Sequence, residues 1–439
     1  MFKETSKELL NFLSKSPTAF QAVENYRQIL NADGFKELLE SEHWDIVPGG
    51  KYYVTRNNTS ILAFKVGTKL DNYSFNIVTS HTDSPTFKIK ENAEIEVKNK
   101  YTQLNTEGYG GMLCATWLDR PLSIAGRVLV SEGNSIVTKL LNIDRDLLMI
   151  PNVAIHMNRA ANDGFKYNLQ VDMLPLLSGG DDRQKDFKQI IADELGVKKE
   201  DILGHDLYLY NRMAPSIWGA NEEFISAGHL DDLQCGFASL KALLAGYNDE
   251  SIDIMACFDN EEVGSGTKQG ADSTLLRDTL IRINNALGKT EEDYHRALAS
   301  SFMLSADNAH AVHPNHPEHT DVTNCTYMNE GVVVKSHAGQ KYTSDGVSMA
   351  VVKSLASGAD VPLQYFANRS DKAGGSTLGN IAMAQASMNA VDIGLPQLAM
   401  HSSYETAGIK DTYYAIALMK ALFDSHIQET STHSLEIKR

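Results

Sequence analysis

The chain has 439 residues, with 40 Lys+Arg against 56 Asp+Glu and a formal net charge of −16. That balance excludes nucleic acid and anionic membrane as main partners, because both require a basic footprint. Charged residues at 22% and hydrophobic ones at 42% are globular composition, and at roughly 100–200 residues per domain the length predicts two or three domains.

Leu9, Leu10 and Phe12, then Phe20, Val23 and Tyr26, recur at helical spacing and predict two helices in the first 35 residues, parted near Pro17. Strands follow at Ser60–Val66 and Ser74–Ser80. To about residue 225 the character is β-rich, with strands at Glu94–Val97, Ile124–Val130, Ile136–Leu141 and Val153–Met157. This stretch also holds a polar loop around Ser178–Asp182 and a charged helix over Lys185–Leu195. Beyond residue 228, strands and helices alternate. Asp231–Ala245, Thr377–Met388 and Thr412–Ser425 read as helices, and Ile252–Phe258, Ser301–Ala306 and Pro396–Met400 as strands. The expected architecture is α/β, with a central mostly parallel sheet interrupted by a β-rich insertion. The catalytic domain is assigned to residues 1–90 and 226–439, and the insertion to 91–225.

The four cysteines form no Cys-x-x-Cys pair, and the N-terminus carries early acidic residues and no apolar signal core. No apolar run reaches the ~18 residues of a membrane span, so a soluble, cytoplasmic protein is expected. There is no His-Glu-x-x-His, Gly288-Lys-Thr290 lacks the upstream glycine of a P-loop, and Gly264-Ser-Gly266 lacks the third glycine of a dinucleotide fold.

Acidic residues and histidines stand just past apolar strands. Phe75–Ser80 runs into His81-Thr-Asp83, Ile252–Phe258 into Asp259-Asn-Glu-Glu262, Phe302–Ala306 into Asp307, and Leu398–Met400 into His401, while Asp231-Asp232 opens a helix. Parallel strands deliver their carboxyl ends to one crevice. Two imidazoles with several carboxylates there suit Zn²⁺, Mn²⁺ or Co²⁺, and two ions use the cluster better than one. Glu261 and Glu262 are adjacent at a buried strand end and require a cation. One can ligate while the other faces water, and Asp83 can orient His81.

Ser80-His-Thr-Asp-Ser-Pro85, Leu230-Asp-Asp-Leu233, Asp259-Asn-Glu-Glu-Val-Gly264, Ser305-Ala-Asp-Asn-Ala-His-Ala-Val-His-Pro-Asn315 and Met400-His401 resemble the aspartyl aminopeptidase and vacuolar aminopeptidase I family. The resemblance runs from about residue 8 to residue 425. It implies two divalent ions per subunit, most readily zinc, one held by His81, Asp231 and Asp307 and the other by Asp231, Glu262 and His401. It also implies a metal-bridging hydroxide with Glu261 as general base and Asp83 behind His81. The implied reaction removes N-terminal Asp or Glu from peptides.

His310, Lys335 and Tyr342 match substrate contacts. His156 matches a histidine that enters a neighbouring protomer's site, within an insertion that drives dimerisation and a tetrahedral dodecamer. Rival readings are the same site with neutral or broad specificity, a deacylase, or a scaffold with little catalysis. The series His310, His313, His316, His319 has the spacing of a metal tract, but Pro314 and Pro317 exclude a helix. No common face is therefore expected, and the last two histidines are assigned to the surface.

Overall fold

The computed structural model describes residues 1–180 and 186–439. Among these, the largest sheet has nine strands, in the order Lys36–Leu38, Lys51–Arg56, Ser60–Val66, Ser251–Phe258, Ser74–His81, Phe302–Ala306, Asn389–Gly394, Val332–Lys335 and Leu363–Phe366. The four strands from Ser251–Phe258 to Asn389–Gly394 run parallel, with antiparallel joins at both flanks. The chain is mixed α/β with a large, mostly parallel sheet, as the alternation of elements predicts.

Strands buried on both faces read as apolar runs, and Ser74–His81 and Ser251–Phe258 are buried at every position. Their side chains alternate between two cores. Phe75, Ile77, Ile252 and Ile254 pack with helices Leu275–Ala286 and Leu378–Gln385, whereas Val78, Met255 and Cys257 pack with Leu230–Ala245 and Asp411–Phe423. One polar interruption pairs with the other strand: Asn76 Nδ2 donates to Asp253 Oδ1 at 3.1 Å, and also to the Ser425 carbonyl at 2.8 Å.

Strands Thr86–Val97, Tyr101–Tyr109, Leu122–Glu132, Ser135–Asn142, Leu176–Gly179 and Ile202–Asn211 form a separate sheet around Phe87, Trp117, Ile124 and Leu207. The expected charged helix spans Phe187–Leu195. Asp181, Asp182 and Lys185, at the ends of the expected polar loop and helix, lie outside the described residues. Val153–Met157 is not a strand. Its Val153, Ile155 and Met157 are 54%, 48% and 85% exposed, so the alternation that predicted a strand buries nothing within the chain.

A third sheet joins Ser216–Trp218, Phe224–Ala227, Glu405–Gly408, Pro396–Leu398 and Ala309–His310. It corrects the expectation that His401 ends a strand of the main sheet. The chain leaves the large sheet at Gly394 and enters the small one at Pro396, beside Ala309, which has made the same crossing from Ala306. A Cβ on Gly394 would sit 2.1 Å from the Asp307 carbonyl oxygen, so only glycine allows the crossings to lie this close.

Candidate metal centre

The parallel register sets Phe258 beside His81. Glu261 and Glu262 follow in a 3-10 turn, Asp307 follows Ala306, and Asp231 lies at the start of the helix Leu230–Ala245. Five side chains predicted as ligands therefore converge from two sheets and a helix. Donor atoms of His81, Asp231 and Asp307 lie within 4.8 Å of one another, as do those of Asp231, Glu262 and His401. His81, Glu261 and Glu262 form a third such group.

Both imidazoles are oriented by main-chain carbonyls. His81 Nδ1 is 3.0 Å from the Asp83 carbonyl and His401 Nδ1 is 2.8 Å from that of Gly111. Donating there turns each Nε2 inward, where it offers a lone pair when the imidazole is neutral. His81 Nε2 faces Asp231 Oδ1 at 3.4 Å, and His401 Nε2 faces Asp231 Oδ2 at 3.6 Å and Glu262 Oε1 at 3.4 Å. Asp231 Oδ1 and Glu262 Oε1 are buried without a hydrogen-bond partner. Buried carboxylate oxygens without a partner, facing inward imidazole nitrogens, fit divalent cations.

Charge bears this out. Burial and neighbouring carboxylates push Glu261 up to about 8 and Asp307 up to about 6 against the pull of His81 and Lys335, and hold Glu262 well above its usual range. Burial opposes a charge on His401, yet Asp231 and Glu262 raise it to about 10. Carboxylates crowded in this way favour any added positive charge, a proton or a cation.

Asp83 holds the acidic turn more than it holds His81. Its Oδ1 accepts the Glu261 N–H and its Oδ2 the Glu262 N–H, each at 3.1 Å, and Tyr109 Oη donates to Oδ2 at 2.7 Å. Its carboxylate is 3.4 Å from His81 Nδ1.

Three supports carry little signal in the sequence. Glu405 accepts the N–H groups of Asp231 at 3.0 Å and His401 at 2.7 Å. Asp232 accepts the His81 N–H at 3.1 Å, and Tyr109 braces Asp83. The second acid of Asp231-Asp232 was the only signal for any of them.

His310, Lys335 and Tyr342 line a cleft of ≈ 350 Å³ over the centre, with Phe366, Ser376 and Met400. Lys335 is 4% exposed, donates to the Asn308 carbonyl at 2.8 Å and is 4.0 Å from Asp307 Oδ2. His156 is exposed and does not line this cleft.

Residues 12–423 match the family of aminopeptidase I zinc metalloproteases, M18. The chain belongs to that family. It is 47% identical over 425 residues to a probable M18 family aminopeptidase 2 of Clostridium novyi, covering 95% of this chain and 98% of that protein. A namesake in Clostridium acetobutylicum is 48% identical over 417 residues, 94% of this chain and 96% of that one. Among solved structures, an Ape4 and Nbr1 complex gives a TM-score of 0.93 at 34% identity, over 96% of this chain and 86% of that one. The S. cerevisiae mApe1 dodecamer gives 0.84 at 27%, over 96% and 97%. This M18 chain is a metallo-aminopeptidase, a hydrolase of peptides, from a family that uses zinc. No helix among its described residues is long and apolar enough to cross a membrane.

Proposed function

We propose that the enzyme removes N-terminal Asp and Glu from peptides at a centre of two divalent cations that share Asp231. The observation carrying this reading is the pair of Nε2 atoms facing opposite oxygens of that carboxylate, at 3.4 and 3.6 Å. His81, Asp231 and Asp307 would hold one ion, and Asp231, Glu262 and His401 the other. Zinc is assigned from the family, and Mn²⁺ or Co²⁺ suits the same donors. When bound, the cations supply a water of lowered pKa and a Lewis acid for the scissile carbonyl. Glu261, in neither trio, is the general base. It takes a proton from the attacking water and passes it to the leaving amine, an effect of about 10²–10⁴-fold. Asp83 keeps Glu261 in place through its main-chain N–H.

Residues 1–90 and 226–439 form the catalytic domain in this account, and 91–225 an inserted dimerisation domain. Dimers assemble into a tetrahedral dodecamer, in keeping with the dodecamer of the yeast relative. Exposed Val153, Ile155 and Met157 suit a segment covered by a partner. From it, His156 would enter a neighbouring cleft and donate a hydrogen bond to the developing oxyanion. His310 and Tyr342 contact substrate, and Lys335 attracts its acidic side chain. Four unpaired cysteines suit the cytoplasm.

One observation favours a second reading, neutral or broad specificity: Lys335 is already engaged by the Asn308 carbonyl. Hydrolysis of Asp-, Glu-, Leu- and Ala-anilides separates the two. The acidic reading expects the highest kcat/KM for Asp and Glu, and Leu outrunning Asp would refute it.

A further inference from the structure

The segment from His313 to His319 stands apart from the centre above, and its histidines recur every third residue. Pro314 and Pro317 predict that they share no face, and the structure overturns this. The His316 N–H donates to the His313 carbonyl at 3.0 Å and the His319 N–H to that of His316 at 3.2 Å, with Pro317–His319 forming a 3-10 turn. At three residues per turn, side chains at i and i+3 eclipse. The prolines that exclude an α-helix thus leave the imidazoles in a column, with centroids 5.3 Å apart for His313 and His316 and 5.4 Å for His316 and His319.

Glu318 lies against this column. Its Oε1 is 3.1 Å from His316 Nδ1 and 3.9 Å from His319 Nε2. One donor atom from each of the three residues lies within 4.8 Å of the others. A tetrahedral ion about 2.1 Å from its ligands spaces them about 3.4 Å apart, between the two observed separations. The turn is also held from outside. Arg369 donates to the Glu318 carbonyl, and the Val312 N–H to the Thr326 carbonyl at 2.8 Å closes the base of the loop.

We propose that His316, Glu318 and His319 form a further metal site, independent of the catalytic reading, that takes a first-row divalent ion of the Zn²⁺ class, with water as fourth ligand. Two imidazoles and one carboxylate match that class, whereas Ca²⁺ and Mg²⁺ require oxygen ligands. The side chains are 57%, 59% and 63% exposed, so the ion exchanges with solvent. It clamps the tip of a loop whose base carries His310, a residue of the cleft wall.

The test is equilibrium dialysis of the enzyme, its catalytic centre already loaded, against Zn²⁺, for wild type and the H316A/H319A double variant. Wild type is expected to bind one more Zn²⁺ per chain. Glu318→Gln, which keeps the shape of the turn, is expected to bind that ion on the order of 10-fold more weakly. Equal Zn²⁺ content in wild type and the double variant at every free concentration would overturn the proposal, leaving Glu318 a surface hydrogen-bond partner. So would unchanged affinity in both variants.

Discussion

The carboxylate of Asp83 accepts the main-chain N–H of Glu261 at 3.1 Å. A residue beside the first imidazole thereby fixes the turn that presents the proposed general base. In Asp83→Asn one acceptor oxygen becomes an amide NH2 group, facing either the Glu261 N–H or both the Glu262 N–H and Tyr109 Oη. The expected loss is about 10–100-fold in kcat, with Tyr109→Phe milder because both main-chain bonds remain. Steady-state kinetics of the two variants at matched metal content check this.

Glu405 anchors two proposed metal ligands at once through the N–H groups of Asp231 and His401. Glu405→Gln turns one acceptor into a donor aimed at an N–H. It is expected to weaken zinc binding about 10–100-fold, read by competition with a chelator.

Removal of the metals should reverse the pH response of stability. Without cations, Glu261 titrates at about 8 instead of its ordinary 4.5, and His401 at about 10 instead of 6.5. In both cases the folded chain holds a proton that the unfolded chain has released. Stability of the metal-free protein therefore falls as pH rises from about 5 to about 9. Metal binding displaces those protons, so its affinity rises over the same range. Thermal denaturation of chelator-treated and zinc-loaded protein across that range checks both signs.

Asp392 ties together the walls of the cleft. Oδ2 accepts the N–H and hydroxyl of Thr343 at 2.6 and 2.7 Å, and Oδ1 accepts from Ser305 at 2.9 Å and Thr377 at 2.5 Å. Asp392→Ala leaves the buried Thr343 N–H unpaired, at about 1–3 kcal/mol. It also frees the segments carrying Tyr342 and Ser376. A lower melting temperature is expected, with KM rising more than kcat falls, measured by calorimetry and kinetics.

The sequence was most legible where function and strand pattern coincide. Ser60–Val66 has the predicted bounds, and His81, Glu262 and Asp307 follow buried strands whose apolar runs are plain. It was less legible where partners are main-chain groups. Nothing in the pattern ties Gly111 to His401 or Glu405 to Asp231, because those bonds exist only once a second sheet has formed. Val153–Met157 misled for the opposite reason: its alternation is real, but the chain itself supplies no surface to bury it. The His313–His319 column is hidden in the sequence because proline excludes the α-helix yet permits the tighter 3-10 turn.

Glu261 is proposed to act as a base beside two cations that it does not hold. Peptide hydrolysis and metal content of E261Q, measured on the same preparation, test it most directly. The catalytic metals are expected to be retained and kcat to fall by about 10²–10⁴-fold. Wild-type hydrolysis by E261Q, or loss of a metal ion on that substitution, would contradict it.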